Sequence, residues 1–158
     1  MLPLESPRWG ALRQAYGTAE DVPRLISAFA SVDDESSRAE LWFALWRMLW
    51  RVDAVFDGAY AAVPHLLDAS VTRTPGERVQ AIHLALRVEL LRRGPVAPSM
   101  PPDLVDAYAS AIDGLPAAVH RCAGDPWNVE VAQVMAAALL AGKRHAELAG
   151  AVLGLGED

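Results

Sequence analysis

Helix punctuation constrains this chain more than any other feature. Thr74-Pro75-Gly76-Glu77 combines a hydroxyl cap, a proline at the first helical position and a glutamate placed to reach back to the cap. It predicts a helix that ends near Gly94. Ser6-Pro7 predicts a short helix over "PRWGALRQAYG", ended by Gly17. Thr18 caps the next, with Glu20 and Asp21 at its positive end, and that helix runs to about Ala30. Ser37 and Glu40 form an S-x-x-E box that opens a tryptophan-rich helix, and Asp57 caps "GAYAAVPHLLDAS". Asp125-Pro126 opens "PWNVEVAQVMAAALLAG", closed by Gly142, and a last helix covers roughly Lys143 to Leu153. No segment alternates apolar and polar residues long enough to predict a strand. The chain reads as all-α, with about eight or nine helices joined by short turns into antiparallel pairs.

One break interrupts this rhythm. "RGPVAPSMPP", residues 93–102, holds four prolines and predicts an extended surface loop. The roughly 55 residues after it are few for an independent core, so residues 1–158 are expected to form a single helical-repeat domain.

"VPRLISA" at 22–28 and "VPHLLDA" at 63–69 both fit V-P-x-L-[IL]-x-A, 41 residues apart, and "LPAAVHRCA" from Leu115 is a weaker echo. Helical units repeating at this spacing are characteristic of HEAT-type arrays, in which pairs stack because one pair cannot bury its apolar faces alone. The expected architecture is a short HEAT-like solenoid, with each V-P in an early turn of its helix. "WGALRQAYGTAEDVPRLISAF" (9–29) and "ELWFALWRMLWRVDAVFDGAYAAVPHLL" (40–67) resemble a group of bacterial HEAT-repeat-like proteins of uncharacterised function. Members open with W-x-x-L-x-x-A-Y-G-x-A-x-D-x-P and continue through an L-W-x-x-L helix into A-x-A-V-P-x-L-L. The resemblance covers the first 70 residues well and implies fold rather than activity. Members often carry Cys-His-Gln-Gly after the leucine-rich helix, where this chain has Trp50-Arg51-Val52-Asp53.

Charge narrows the partners. Residues 1–94 carry 11 basic and 12 acidic side chains, and residues 95–158 carry 3 and 8, for an overall charge of −6. With Lys143 the single lysine and the arginines scattered, no basic stripe can neutralise a phosphate backbone. Nucleic acid is therefore not an expected partner, and the helical-repeat DNA glycosylases are a poor comparison. The longest apolar run, Val131 to Ala141, is too short for a bilayer span, so no membrane partner is expected. The opening MLPLESPRWG lacks the pattern of a secretory signal, and the lone Cys122 fits a reducing compartment; a cytoplasmic location is expected.

"ELWFALWRMLW" places Trp42, Trp46 and Trp50 one helical turn apart. On a helical projection the apolar arc spans about 220°, wider than the roughly 100° of a surface helix, so this helix has neighbours on more than one side. Packing on a pair-mate and on the adjacent repeat explains the whole stripe as core. The alternative is an exposed edge of Phe43, Trp46 and Trp50, with Arg47 and Arg51 nearby, as one candidate partner-binding surface, since Trp and Arg dominate binding hot spots. The matched repeats supply a second. Arg24 and His65 occupy the variable position of V-P-x-L, Ser27 and Asp68 the next equivalent one, and Arg24, His65 and Asp68 with Tyr60 are expected to line a concave face.

No catalytic or metal-binding residues are assigned. His65, His83, His120 and His145 show no zinc spacing, and His120 and Cys122 fall on nearly opposite helix faces. Asp53 and Asp57 are expected to straddle a turn. No nucleophile elbow or phosphate loop appears, and no cofactor is implied. The reading is a non-enzymatic protein-interaction module, regulatory or toxin-neutralising, whose partner is another protein, with self-association open. The rival class is an enzyme or small-ligand binder with a pocket between helix pairs.

Overall fold

The computed structural model describes residues 1–52 and 54–154; Asp53, expected to straddle a turn with Asp57, lies outside the described residues. Among these residues the chain is mostly helical. It begins with a 3-10 turn, Pro7–Ala11, and a small antiparallel hairpin of β1 (Arg13–Gln14) and β2 (Gly17–Thr18). Helices α1 (Val22–Ser31) and α2 (Glu35–Leu49) follow. A second hairpin, β3 (Trp50–Arg51) with β4 (Ala54–Val55), leads to α3 (Asp57–Ser70) and α4 (Pro75–Leu91). After the proline-rich stretch come α5 (Val105–Asp113), α6 (Leu115–Arg121), α7 (Val129–Gly142) and α8 (Ala146–Gly154).

The Thr74 capping box forms as its residues dictate. The Thr74 hydroxyl accepts from the Glu77 amide, and the Glu77 carboxylate accepts from the Thr74 amide at 3.0 Å. Other starts are displaced, each because a side chain finds a different partner. Asp34, not Ser37, caps α2 by accepting from the Ser37 amide at 2.7 Å. Asn128, not Asp125, caps α7, while Asp125 pairs with Arg78 at 2.7 Å. Asp57 is the first residue of α3 rather than its cap, and its carboxylate accepts from the Arg13 amide.

That last bond belongs to the main departure from expectation. Residues 7–17 do not form one helix. Leu12 turns extended after the 3-10 turn, and Arg13 to Thr18 fold back as a hairpin, with Gly17 at φ +153°, a backbone region that side chains disfavour. Thr18 therefore sits in β2, and α1 starts only at Val22. The hairpin presses on α3 at Gly58, where a Cβ would lie 2.7 Å from the Arg13 carbonyl oxygen. The two V-P-x-L segments also sit at different depths. Pro23 is in the first turn of α1, whereas Pro64 lies inside α3, where its ring leaves the Tyr60 carbonyl without a helical donor.

Helix α1 packs on α2 and α3; α3 packs on α4 and α5; α4 packs on α7 and α8. The buried apolar cluster is continuous from Trp9 and Phe29 through Leu45, Leu66 and Leu86 to Met135 and Leu153. Residues 95–101 carry no regular structure, and the Tyr60 hydroxyl donates to the Pro98 carbonyl, tying this segment to α3. No helix among the described residues is long and apolar enough to cross a membrane.

Candidate functional site

The aromatic residues of α2 form a ladder from core to surface. Trp42 is buried against Phe29, with ring centroids 5.5 Å apart, and lies 6.2 Å from Trp46. Trp46 is half-buried and meets both Trp50 and His83 edge-on at 5.4 Å. Arg87 places its guanidinium 5.9 Å from the Trp50 ring centre and donates to His83 at 3.1 Å. Trp50 is half-buried, and its indole N–H is buried without a hydrogen-bond partner among the described residues. Trp46 and Trp50 are thus mostly committed to packing between α2 and α4, with one edge each left to solvent.

Phe43 is different. It is 62% exposed, an unusual state for a large apolar ring on an otherwise well-packed helix. Beside it stands Tyr16, 61% exposed, at the tip of the β1–β2 hairpin. Arg47 lies between them, its guanidinium carbon 5.5 Å from the Phe43 ring centre and 5.8 Å from that of Tyr16. Its Nη2 donates to the Tyr16 hydroxyl at 3.1 Å. The hairpin is fixed to α2 by the Ala15 amide, which donates to the Met48 carbonyl at 2.9 Å. Two rings and a cation are therefore held in one exposed row by two separate elements. Cation–π contact and the hydrogen bond fix the arginine side chain before any partner arrives. Sequence reasoning missed Tyr16, because the segment reads as a helix end; the signal was Tyr16-Gly17, a ring next to a residue suited to a tight turn.

The second predicted surface does not assemble. Tyr60 is 1% exposed and packs edge-on against Tyr108 at 5.4 Å, so it belongs to the core. His65 is half-buried under the N-terminal segment: its Nε2 lies 2.7 Å from the Leu2 carbonyl oxygen and its ring 6.2 Å from Trp9. The Trp9 indole N–H donates to the Pro3 carbonyl at 3.0 Å, and Arg8 pairs with Asp103 at 3.1 Å, which holds that segment in place. Arg24 and Asp68 are exposed, but they line separate hollows, one with Trp9, Pro23 and Ser27, the other with Met1, Pro64 and Leu67. Equivalent positions in the sequence repeat thus meet unequal surroundings, because the first twelve residues cover the ridge between them.

The polar groups of the row formed by Tyr16, Arg47 and Phe43 are one phenol and one guanidinium, with no carboxylate. What it offers is stacking area and guanidinium charge. No group of metal-ligating side chains is assembled among the described residues. No family model, curated protein or solved structure matches the chain.

Proposed function

We propose that the chain is a non-enzymatic protein-interaction module built as a short HEAT-like solenoid. In this reading α1, α3 and α5 form one row, and α2, α4 and α7 the other. The contacts of α1 with α3, α3 with α5 and α4 with α7 support it, as do the cross-pairs α1 with α2, α3 with α4 and α5 with α7. The β3–β4 hairpin, which touches α4, links α2 to its row. The observation that carries the functional reading is the exposed row of Tyr16, Arg47 and Phe43. Aromatic and arginine side chains dominate binding energy at protein interfaces. Holding them rigid beforehand lowers the entropy lost on association. The partner is another protein, in a regulatory or toxin-neutralising pair.

The test compares the wild-type chain with Phe43→Ala and Arg47→Ala as baits in lysate of the native source, with light scattering on each purified form. A specific partner lost with both variants, at unchanged melting temperature, supports the proposal. Equal recovery by all three forms overturns it. Self-association of the wild type alone would identify a second copy as the partner.

A further inference from the structure

We propose that the hollow where α4, α5 and the end of α7 meet binds a small organic anion with an apolar tail, of the monocarboxylate class. The site is independent of the aromatic row. Its volume is about 240 Å³. Arg92 and Arg93, at the C-terminal end of α4, and Arg144, just beyond α7, supply its charge. Met100, Val105 and Ile112 supply an apolar wall beside the ring of Tyr108.

The polar end is built around Glu89, which is 1% exposed. Its carboxylate accepts from Nε and Nη2 of Arg92 and from Nε and Nη2 of Arg93, the two Nη2 contacts at 2.9 Å each, and from the Tyr108 hydroxyl at 3.2 Å. Burial, together with the charge of Glu89, pushes the Tyr108 phenol well above its ordinary range, so it remains a donor. These bonds fix both guanidiniums, and the guanidinium carbon of Arg92 also lies 5.5 Å from the Tyr108 ring centre. Asp113 pairs with Arg144 at 2.8 Å on the rim. Three guanidiniums thus face two carboxylates, leaving one net positive charge in a chain of −6. Planar carboxylate suits guanidinium donors.

Arg144 carries a second sign of function. It occupies the residue after the C-cap of α7, with φ +67°, where the His145 amide bonds to the Leu140 carbonyl and the Arg144 amide to the Ala141 carbonyl. Glycine is the usual residue in this motif, because other side chains are strained there. A strained backbone that delivers a cation to a hollow is the pattern of a binding site rather than of optimised stability.

Hexanoate is the probe, followed by calorimetry and by amide NMR shifts at pH 7 and low salt, with hexanol and inorganic phosphate as controls. Hexanoate is expected to bind saturably and to move the amides of Met100, Ala109 and Ala141. Hexanol is expected to leave these amides unmoved, and phosphate to bind more weakly than hexanoate. Arg93→Gln leaves Arg92 and Tyr108 on the buried Glu89 carboxylate; it is expected to lower the melting temperature, and in the folded variant to weaken hexanoate by about tenfold or more, the loss of one charge-assisted contact. Arg144→Gly is expected to weaken hexanoate while raising the melting temperature, a combination that a merely structural arginine would not give. No saturable shift with hexanoate, equal shifts with hexanol, equal or tighter binding of phosphate, or undiminished hexanoate affinity in both variants would each overturn the proposal.

Discussion

Gly142 and Pro116 are in direct contact across α7 and α6. A Cβ placed on Gly142 would lie 2.4 Å from Cδ of Pro116 and 3.1 Å from the Ile112 carbonyl oxygen. The glycine is therefore required for close approach of two helices. Its position near the end of α7 suggests a helix stop, but the stop motif is carried by Arg144 two residues later. Gly142→Ala is expected to cost about 1–3 kcal/mol, the range for forcing extra volume into a packed contact. Urea unfolding measures this, and a neutral result would mean that α6 can move away freely.

Arg144→Gly is expected to do the reverse. Relief of a left-handed backbone at a non-glycine residue is worth about 1 kcal/mol. The Arg144–Asp113 pair it removes is exposed, and such pairs contribute little. The variant should therefore melt a few degrees higher. A lower melting temperature would show that the arginine side chain holds the α7 end by more than this one pair.

Much of the helical content was legible because caps are local chemistry. Thr74 and Glu77 need only each other, and their box forms where the residues place it. Asp57 was misread because its partner, the Arg13 amide, lies 44 residues away in sequence. The hairpin at Arg13 to Thr18 was hidden for the same reason. Its strands are two residues each, too short for any alternation to register, and it rests on contacts to Met48 and Gly58. Of the candidate site residues, the exposure of Phe43 was legible by helical projection, since exposure on α2 follows from geometry along one element. Tyr60 and His65 were misplaced because their fate depends on Pro98 and Leu2, which no periodicity connects to α3.

Trp42 and Phe43 are sequence neighbours with opposite roles, and truncation separates them. Trp42 is 6% exposed and packed on Phe29 and Trp46. Trp42→Ala is expected to cost about 3–5 kcal/mol, as for other buried aromatics. Phe43→Ala is expected to stay within about 0.5 kcal/mol of wild type, as for ordinary surface changes. Trp46→Ala and Trp50→Ala should fall between them, since each is half-buried. Chemical denaturation checks all four, and a large loss at Phe43 would mean that its ring stabilises the fold rather than serving a partner.

Acid should unfold the chain through identifiable carboxylates. Burial acts to raise the Glu77 carboxyl, but hydrogen bonds from Arg38, at 2.6 Å, and from Thr74 outweigh it and hold the group below its ordinary value. The Ser37 hydrogen bonds lower Asp34, and the Arg8 hydrogen bond lowers Asp103. A carboxyl whose folded pKa is depressed contributes stability that is fully present above the unfolded value and is lost as pH falls through the folded value. These carboxyls therefore leave the melting temperature level above about pH 5 and lower it below about pH 4, where unfolded Asp and Glu titrate. Arg38 is buried and also donates to the Val32 and Asp33 carbonyls, so Glu77 is the counter-charge for a guanidinium that cannot move to water. Glu77→Gln should lower the level part of the curve and make the acid fall shallower, because one of the titrating groups is gone. An acid limb as steep in the variant as in wild type would show that the Arg38–Glu77 pair does not set the acid limit, and would move that role to Asp34 and Asp103.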